Sequence, residues 1–71
     1  MNLRHVDAFR TIMLRGSMTA AAQELRTSQP SISRLIGELE TEIDLRLFER
    51  RAGRLRPTPQ GLAVYREVER S

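Results

Sequence analysis

The chain has 71 residues, no cysteine, one histidine, 12 basic and nine acidic side chains, and a formal net charge of +3. This makes one small domain near the lower size limit for folding without staples, and it excludes a disulfide framework, a thiolate metal site and a histidine cluster. No apolar run is long enough to span a membrane, and no basic leader with an apolar core opens the chain, so a cytoplasmic domain with no metal or cofactor is expected.

Asn2 is placed to cap a first helix over Leu3–Leu14. Leu3, Val6, Phe9, Ile12 and Met13 form its expected buried stripe, and Gly16 ends it as a left-handed cap. Met18 is expected to fill the core at the junction, and Thr19 to cap a second helix carrying Ala20, Ala21, Ala22 and Leu25. Those small residues let another helix approach closely. The turn Arg26–Thr27–Ser28 supplies capping hydroxyls for the next helix start.

A third helix is predicted over Gln29–Ile43, with its first residue at Ser28 or Gln29 and Pro30 in the first turn, where a missing N–H costs nothing. Ile32, Leu35, Ile36, Leu39 and Ile43 repeat at helical spacing and form an apolar stripe. The opposite face shows Pro30, Ser33, Arg34 and Gly37, with Gln29 at the entry. That face is short, polar and cationic, and it fits a major groove, where Arg pairs with guanine and Gln with adenine. An isolated helix with this face is more simply a solvated one; two short helices joined by a tight turn favour the groove. Asp44 is expected to end the helix with positive φ.

Charge is segregated along the next stretch. Glu38, Glu40, Glu42 and Asp44 precede a block in which Arg46, Arg50, Arg51, Arg54 and Arg56 face only Glu49, a pattern suited to a polyanion. Within Leu45–Pro57 a two-stranded hairpin is predicted, turning at Ala52–Gly53–Arg54. Two strands are marginal alone, so Phe48 and Leu55 must pack on the helices. Thr58 and Pro59 then start a fourth helix as cap and first residue. Its apolar band, Leu62, Ala63, Val64, Tyr65 and Val68, is wider than one core contact needs; Tyr65 suits either core or a partner surface. The chain stops inside this helix, at Ser71.

This order of elements predicts a mostly α fold, a winged helix–turn–helix: three helices, a short two-stranded wing and the start of a linker helix. Residues 1–57 are expected to form the DNA-binding unit and residues 58–71 the start of a dimerising helix. Gln29, Pro30, Ser33 and Arg34 are the candidates for base reading. Thr19, Ser28 and Ser31, with the helix N-termini, are candidates for holding phosphates. Arg50 is expected either to clamp the backbone or to pair with Glu49 or the acidic end of the third helix. Arg54, near the wing tip, is the candidate for a narrow minor groove. A two-fold reader matches a palindromic operator, so the expected partners are double-stranded DNA and a second copy. The alternative is a winged helix used only for protein contact. An enzyme is not expected, because no nucleophile constellation and no phosphate-cradling glycine loop are present. RNA binding would need stacking aromatics, and the chain has only Phe9, Phe48 and Tyr65.

The chain also resembles the N-terminal DNA-binding domain of LysR-type bacterial transcriptional regulators. Ala21–Ala22, Ser28–Gln29–Pro30, Ser33–Arg34, Leu39–Glu40, Leu47–Phe48–Glu49–Arg50 and Thr58–Pro59 carry the resemblance, together spanning Thr19 to Gly61. Within the family, the opening Asn2–His5, the segments Gly53–Leu55 and Pro57–Thr58, and the ending Glu67–Ser71 are similar to the lysine-biosynthesis activator. Met18–Ala22 and Ile32–Ile36 are similar to the octopine and nopaline catabolism regulators. The resemblance implies regulation of amino-acid-related metabolism. It also implies a missing effector domain, a higher oligomer in the full-length protein and room for RNA polymerase as a further partner. Three features depart from the family's pattern: Gly37, Asp44 and the wing tip Arg51–Arg54.

Overall fold

The computed structural model describes residues 1–70. Elements follow in the order α1 (Leu3–Arg15), α2 (Met18–Glu24), α3 (Gln29–Ile43), β1 (Phe48–Arg51), β2 (Arg54–Pro57) and α4 (Pro59–Arg70). Local chemistry explains most boundaries. The Asn2 side chain accepts the His5 N–H at 3.0 Å, and Gly16, at φ 85°, closes α1 with its N–H on the Ile12 carbonyl. Ser28 caps α3, accepting the Ser31 N–H at 3.2 Å, and Asp44 ends that helix in the left-handed region at φ 57°. The expected end of α4 at Ser71 lies outside the described residues.

Two expectations for the first helices are corrected. Ser17, not Thr19, caps α2: its side chain accepts the Ala20 N–H at 3.0 Å, which leaves Thr19 exposed in the first turn. Both positions carry hydroxyls, and the chain leaves Gly16 directly into an extended Ser17, so the helix starts earlier. Leu3 is 79% exposed and does not belong to the buried stripe. In the first turn of α1 His5 is buried instead, with its ring against Glu38 of α3.

Phe9, Ile12, Ile32, Leu39 and Leu47 are the largest fully buried side chains, drawn from α1, α3 and the approach to the wing. Burying each contributes about 1.5–3 kcal/mol. Ala21 and Ala22 are buried where α2 meets its neighbours, the close approach their size allows. Phe9 is central: its ring lies 5.7 Å from Phe48 and 6.2 Å from Tyr65, the latter edge-on. Tyr65 therefore packs on the core. So do Val64 and Val68, while Leu62 and Ala63 stay exposed on α4.

The wing is an antiparallel pair with Phe48 opposite Pro57, Glu49 opposite Arg56, Arg50 opposite Leu55 and Arg51 opposite Arg54. Ala52 and Gly53 both have positive φ, 54° and 75°, which makes a two-residue type I′ turn. Two polar devices join the wing to the helices. Glu40, on α3, accepts the Leu47 N–H at 2.7 Å and the Phe48 N–H at 3.4 Å. Thr58, buried, donates its hydroxyl to the Arg46 carbonyl, accepts the Gly61 N–H at 2.9 Å, and donates its own N–H to the Leu47 carbonyl at 3.0 Å. Gly61 packs so tightly on that same carbonyl that a Cβ would overlap it.

Candidate nucleic-acid interface

Two helix N-termini point outward beside the wing. Neither α2 nor α3 carries an acid in its first turn, so the partial positive charge of free N–H groups and dipole is not neutralised there. Among the expected site residues, Thr19, Ser28, Pro30, Ser33 and Arg34 are exposed, and Gln29 and Ser31 are half-buried. The Ser28 hydroxyl serves the Ser31 N–H and lies 2.9 Å from the Ser31 hydroxyl, so these two side chains define one another's orientation. Gln29 donates its side-chain amide to the Met18 sulfur at 3.6 Å, a weak acceptor that ties the start of α3 to the start of α2.

The wing sorts its arginines by strand alternation. Arg50 and its partner Leu55 share the face of Phe48 and Pro57, toward the helices. Glu49, Arg51, Arg54 and Arg56 occupy the other face. The competition for Arg50 resolves in its neighbours' favour: Glu49 pairs with Arg51 at 3.4 Å and Glu40 with Arg46 at 3.8 Å. Among the described residues, Arg50, Arg54 and Arg56 have neither an ion pair nor a side-chain hydrogen bond. Arg34 differs, because its Nη1 lies 3.1 Å from Glu38.

A groove of about 430 Å³ runs between these parts, lined by Gly16–Thr19, Gln29, Arg50 and Gly53–Arg56. A smaller one of about 280 Å³ adjoins it and includes Gln29, Ser33, Gly37, Arg46 and Arg50. Thr19, Gln29, Arg50 and Arg54, distant in sequence, thus surround one groove, with Ser33 beside it. Ser28, Pro30, Ser31 and Arg34 lie outside both, at the cap and in the first two turns of α3. Sequence reasoning missed Ser17, and it placed Arg56 in the basic block without giving it a role; both are on the groove wall. Ser17 is a hydroxyl three residues before the N–H it caps, so its spacing could have revealed it. Among the described residues no group of three or more His, Asp or Glu side chains could hold a metal ion, and no helix is long and apolar enough to cross a membrane.

Residues 3–62 match the family described as "Bacterial regulatory helix-turn-helix protein, lysR family". The whole chain is 52% identical to the transcriptional activator protein LysR of Escherichia coli, covering 23% of that protein. It is 49% identical over its full length to the octopine catabolism/uptake operon regulatory protein OccR of Rhizobium meliloti, covering 24% of it. The chain therefore spans about a quarter of the length of these curated relatives, which are transcriptional regulators and not enzymes. Among solved structures, the BenM DBD in complex with catB site 1 DNA superposes with a TM-score of 0.91 at 36% identity, over 99% of this chain and 79% of that one. The CbnR DBD–DNA complex gives a TM-score of 0.91 at 33% identity, over 99% of this chain and 80% of that one.

Proposed function

The chain belongs to the LysR family of bacterial regulatory helix-turn-helix proteins, and from that premise we propose that it binds double-stranded DNA sequence-specifically to regulate transcription. One observation carries the reading: two unneutralised helix N-termini and the unpaired Arg50 and Arg54 surround the same groove, with Gln29 on its wall and Ser33 beside it. Such a surface attracts phosphate along its edges and offers donors and acceptors to base edges at its centre. Gln29, Pro30, Ser33 and Arg34 read bases. Thr19, Ser28 and Ser31 hold phosphates together with the free N–H groups of α2 and α3. Arg50 clamps the backbone, and Arg54 enters the minor groove. A module for protein contact alone would want an apolar or acidic recognition surface, and this one is neither.

In this reading residues 1–57 are the DNA-binding unit and residues 58–71 begin a dimerising linker helix. Two copies sit on a palindromic operator, and the longer protein forms a higher oligomer, acts in the cytoplasm and can engage RNA polymerase. The similarity to LysR and OccR supports control of amino-acid-related metabolism.

Anisotropy titrations with a selected duplex and a random duplex test the base-reading assignment. Arg34→Ala and Gln29→Ala should each cost about 1–3 kcal/mol on the selected duplex, and much less on the random one. Equal losses on both duplexes would reduce these residues to phosphate contacts.

A further inference from the structure

Glu38 stands four residues beyond Arg34 on α3 and gives each carboxylate oxygen to a different partner. Oε2 accepts from Arg34 Nη1 at 3.1 Å, and Oε1 accepts from His5 Nε2 at 3.0 Å. His5 belongs to α1 and is only 7% exposed. A carboxylate can only accept, so Nε2 carries a proton and donates it to Glu38. Nδ1 is buried and, among the described residues, has no hydrogen-bond partner. The ring's one polar tie among the described residues is therefore to Glu38. That tie, followed by the Arg34 guanidinium, holds the Glu38 carboxyl below its ordinary range, so it stays ionised at neutral pH.

An exposed ion pair at this spacing ordinarily contributes little, because two long side chains must be ordered for one contact. Here one of the two is already ordered, from another helix. Arg34 is also the α3 cation best placed to read a guanine, and a loose cation at a DNA surface binds any phosphate within reach. We infer that Glu38, anchored by His5, is a positioning residue for Arg34: it aims the guanidinium along α3 toward base edges and withholds it from phosphates. This role rests on the DNA-reading function proposed above. It makes Glu38 a determinant of specificity with no DNA contact of its own.

A duplex is first selected from a randomised pool with the 71-residue chain. Its affinity is then compared with that of a random duplex for the wild type, Glu38→Ala, Glu38→Gln, Arg34→Ala and Glu38→Ala/Arg34→Ala. Glu38→Ala should lower the ratio of selected to random affinity roughly fivefold, the low end of what one base-reading pair discriminates. Random-duplex affinity should rise, because a cation is freed and an anion removed. Glu38→Gln keeps an acceptor for His5 and loses the charge, and it should lower the ratio in the same way. In the Arg34→Ala background the Glu38→Ala effect on the ratio should disappear. A purely structural role would instead weaken both duplexes alike and persist without Arg34, and that result overturns the inference. An unchanged ratio in Glu38→Ala or Glu38→Gln overturns it as well, leaving DNA reading intact. Failure of the wild type to enrich any sequence overturns the DNA reading and this inference with it.

Discussion

Arg26 has φ 57° in the turn between α2 and α3, with its N–H on the Gln23 carbonyl and that of Thr27 on the Ala22 carbonyl. This is a left-handed helix end built on a residue with a full side chain, a conformation costing roughly 1–2 kcal/mol outside glycine. Arg26→Gly should stabilise the domain by about 0.5–1 kcal/mol in urea unfolding, after allowing for the greater freedom of glycine in the unfolded chain. Asp44→Gly, at the same φ, should gain less, because Asp tolerates this region better. The reverse order would mean that Arg26 is held by something other than its backbone. Two helical glycines make the opposite comparison. Gly37 faces open space, so Gly37→Ala should stabilise α3 by up to about 1 kcal/mol. Gly61 meets the Leu47 carbonyl, so Gly61→Ala should destabilise by about 1–3 kcal/mol or shift α4. Thermal unfolding of the two variants checks both signs at once.

The Glu40 carboxylate of α3 ties down the start of the wing. Glu40→Ala removes the acceptor for the Leu47 and Phe48 N–H groups, and a part-buried donor left unmet costs about 1–3 kcal/mol. Amide exchange at residues 47–57 should quicken more than exchange in α1; uniform quickening would show that Glu40 stabilises the domain generally and not the wing. The contact between α1 and α3 carries a pH signature. Because the Glu38 carboxyl is depressed in the folded chain, chiefly by His5, its contribution is present above the ordinary carboxylate range of about pH 4–4.5 and lost as pH falls through the depressed value. Glu38→Gln should therefore flatten the acid limb of the stability curve, and an unchanged limb would show that the pair contributes nothing there. What was legible in the sequence was local. Asn2, Gly16, Ser28, Asp44 and Thr58 act within about four residues of their partners, and the expected helix ends fall where these caps sit. Ser17 was missed because Thr19 offers the same hydroxyl two residues on. The strained Arg26 bears no glycine to mark it. Glu40 reaching the wing, Gly61 against Leu47 and His5 against Glu38 are tertiary contacts that no spacing announces.

At the scale of the whole molecule, the exposed apolar residues Met1, Leu3 and Leu62 lie outside both grooves. Met1 and Leu3 precede or open α1 and line a shallow hollow with Val6 of α1 and Val64 and Val68 of α4, while Leu62 is exposed on α4 outside that hollow. Arg10 on α1 and Glu69 on α4 join at 2.9 Å beside this hollow. In the reading proposed above, this apolar face of α4 and the start of α1 seats a second copy. The chain should sediment as a monomer or weak dimer alone and as two copies on a palindromic duplex. A complex that remains one-to-one at saturating protein would contradict the two-fold arrangement. The central claim, that the starts of α2 and α3 and the wing form the DNA surface, is tested most directly by following backbone amide resonances while a selected duplex is added. The largest shifts should fall on residues 17–20, 28–34 and 50–56, with residues 62–70 changing little before a second copy binds. Shifts concentrated instead on residues 3–10 and 62–70, with the groove residues unmoved, would contradict the account.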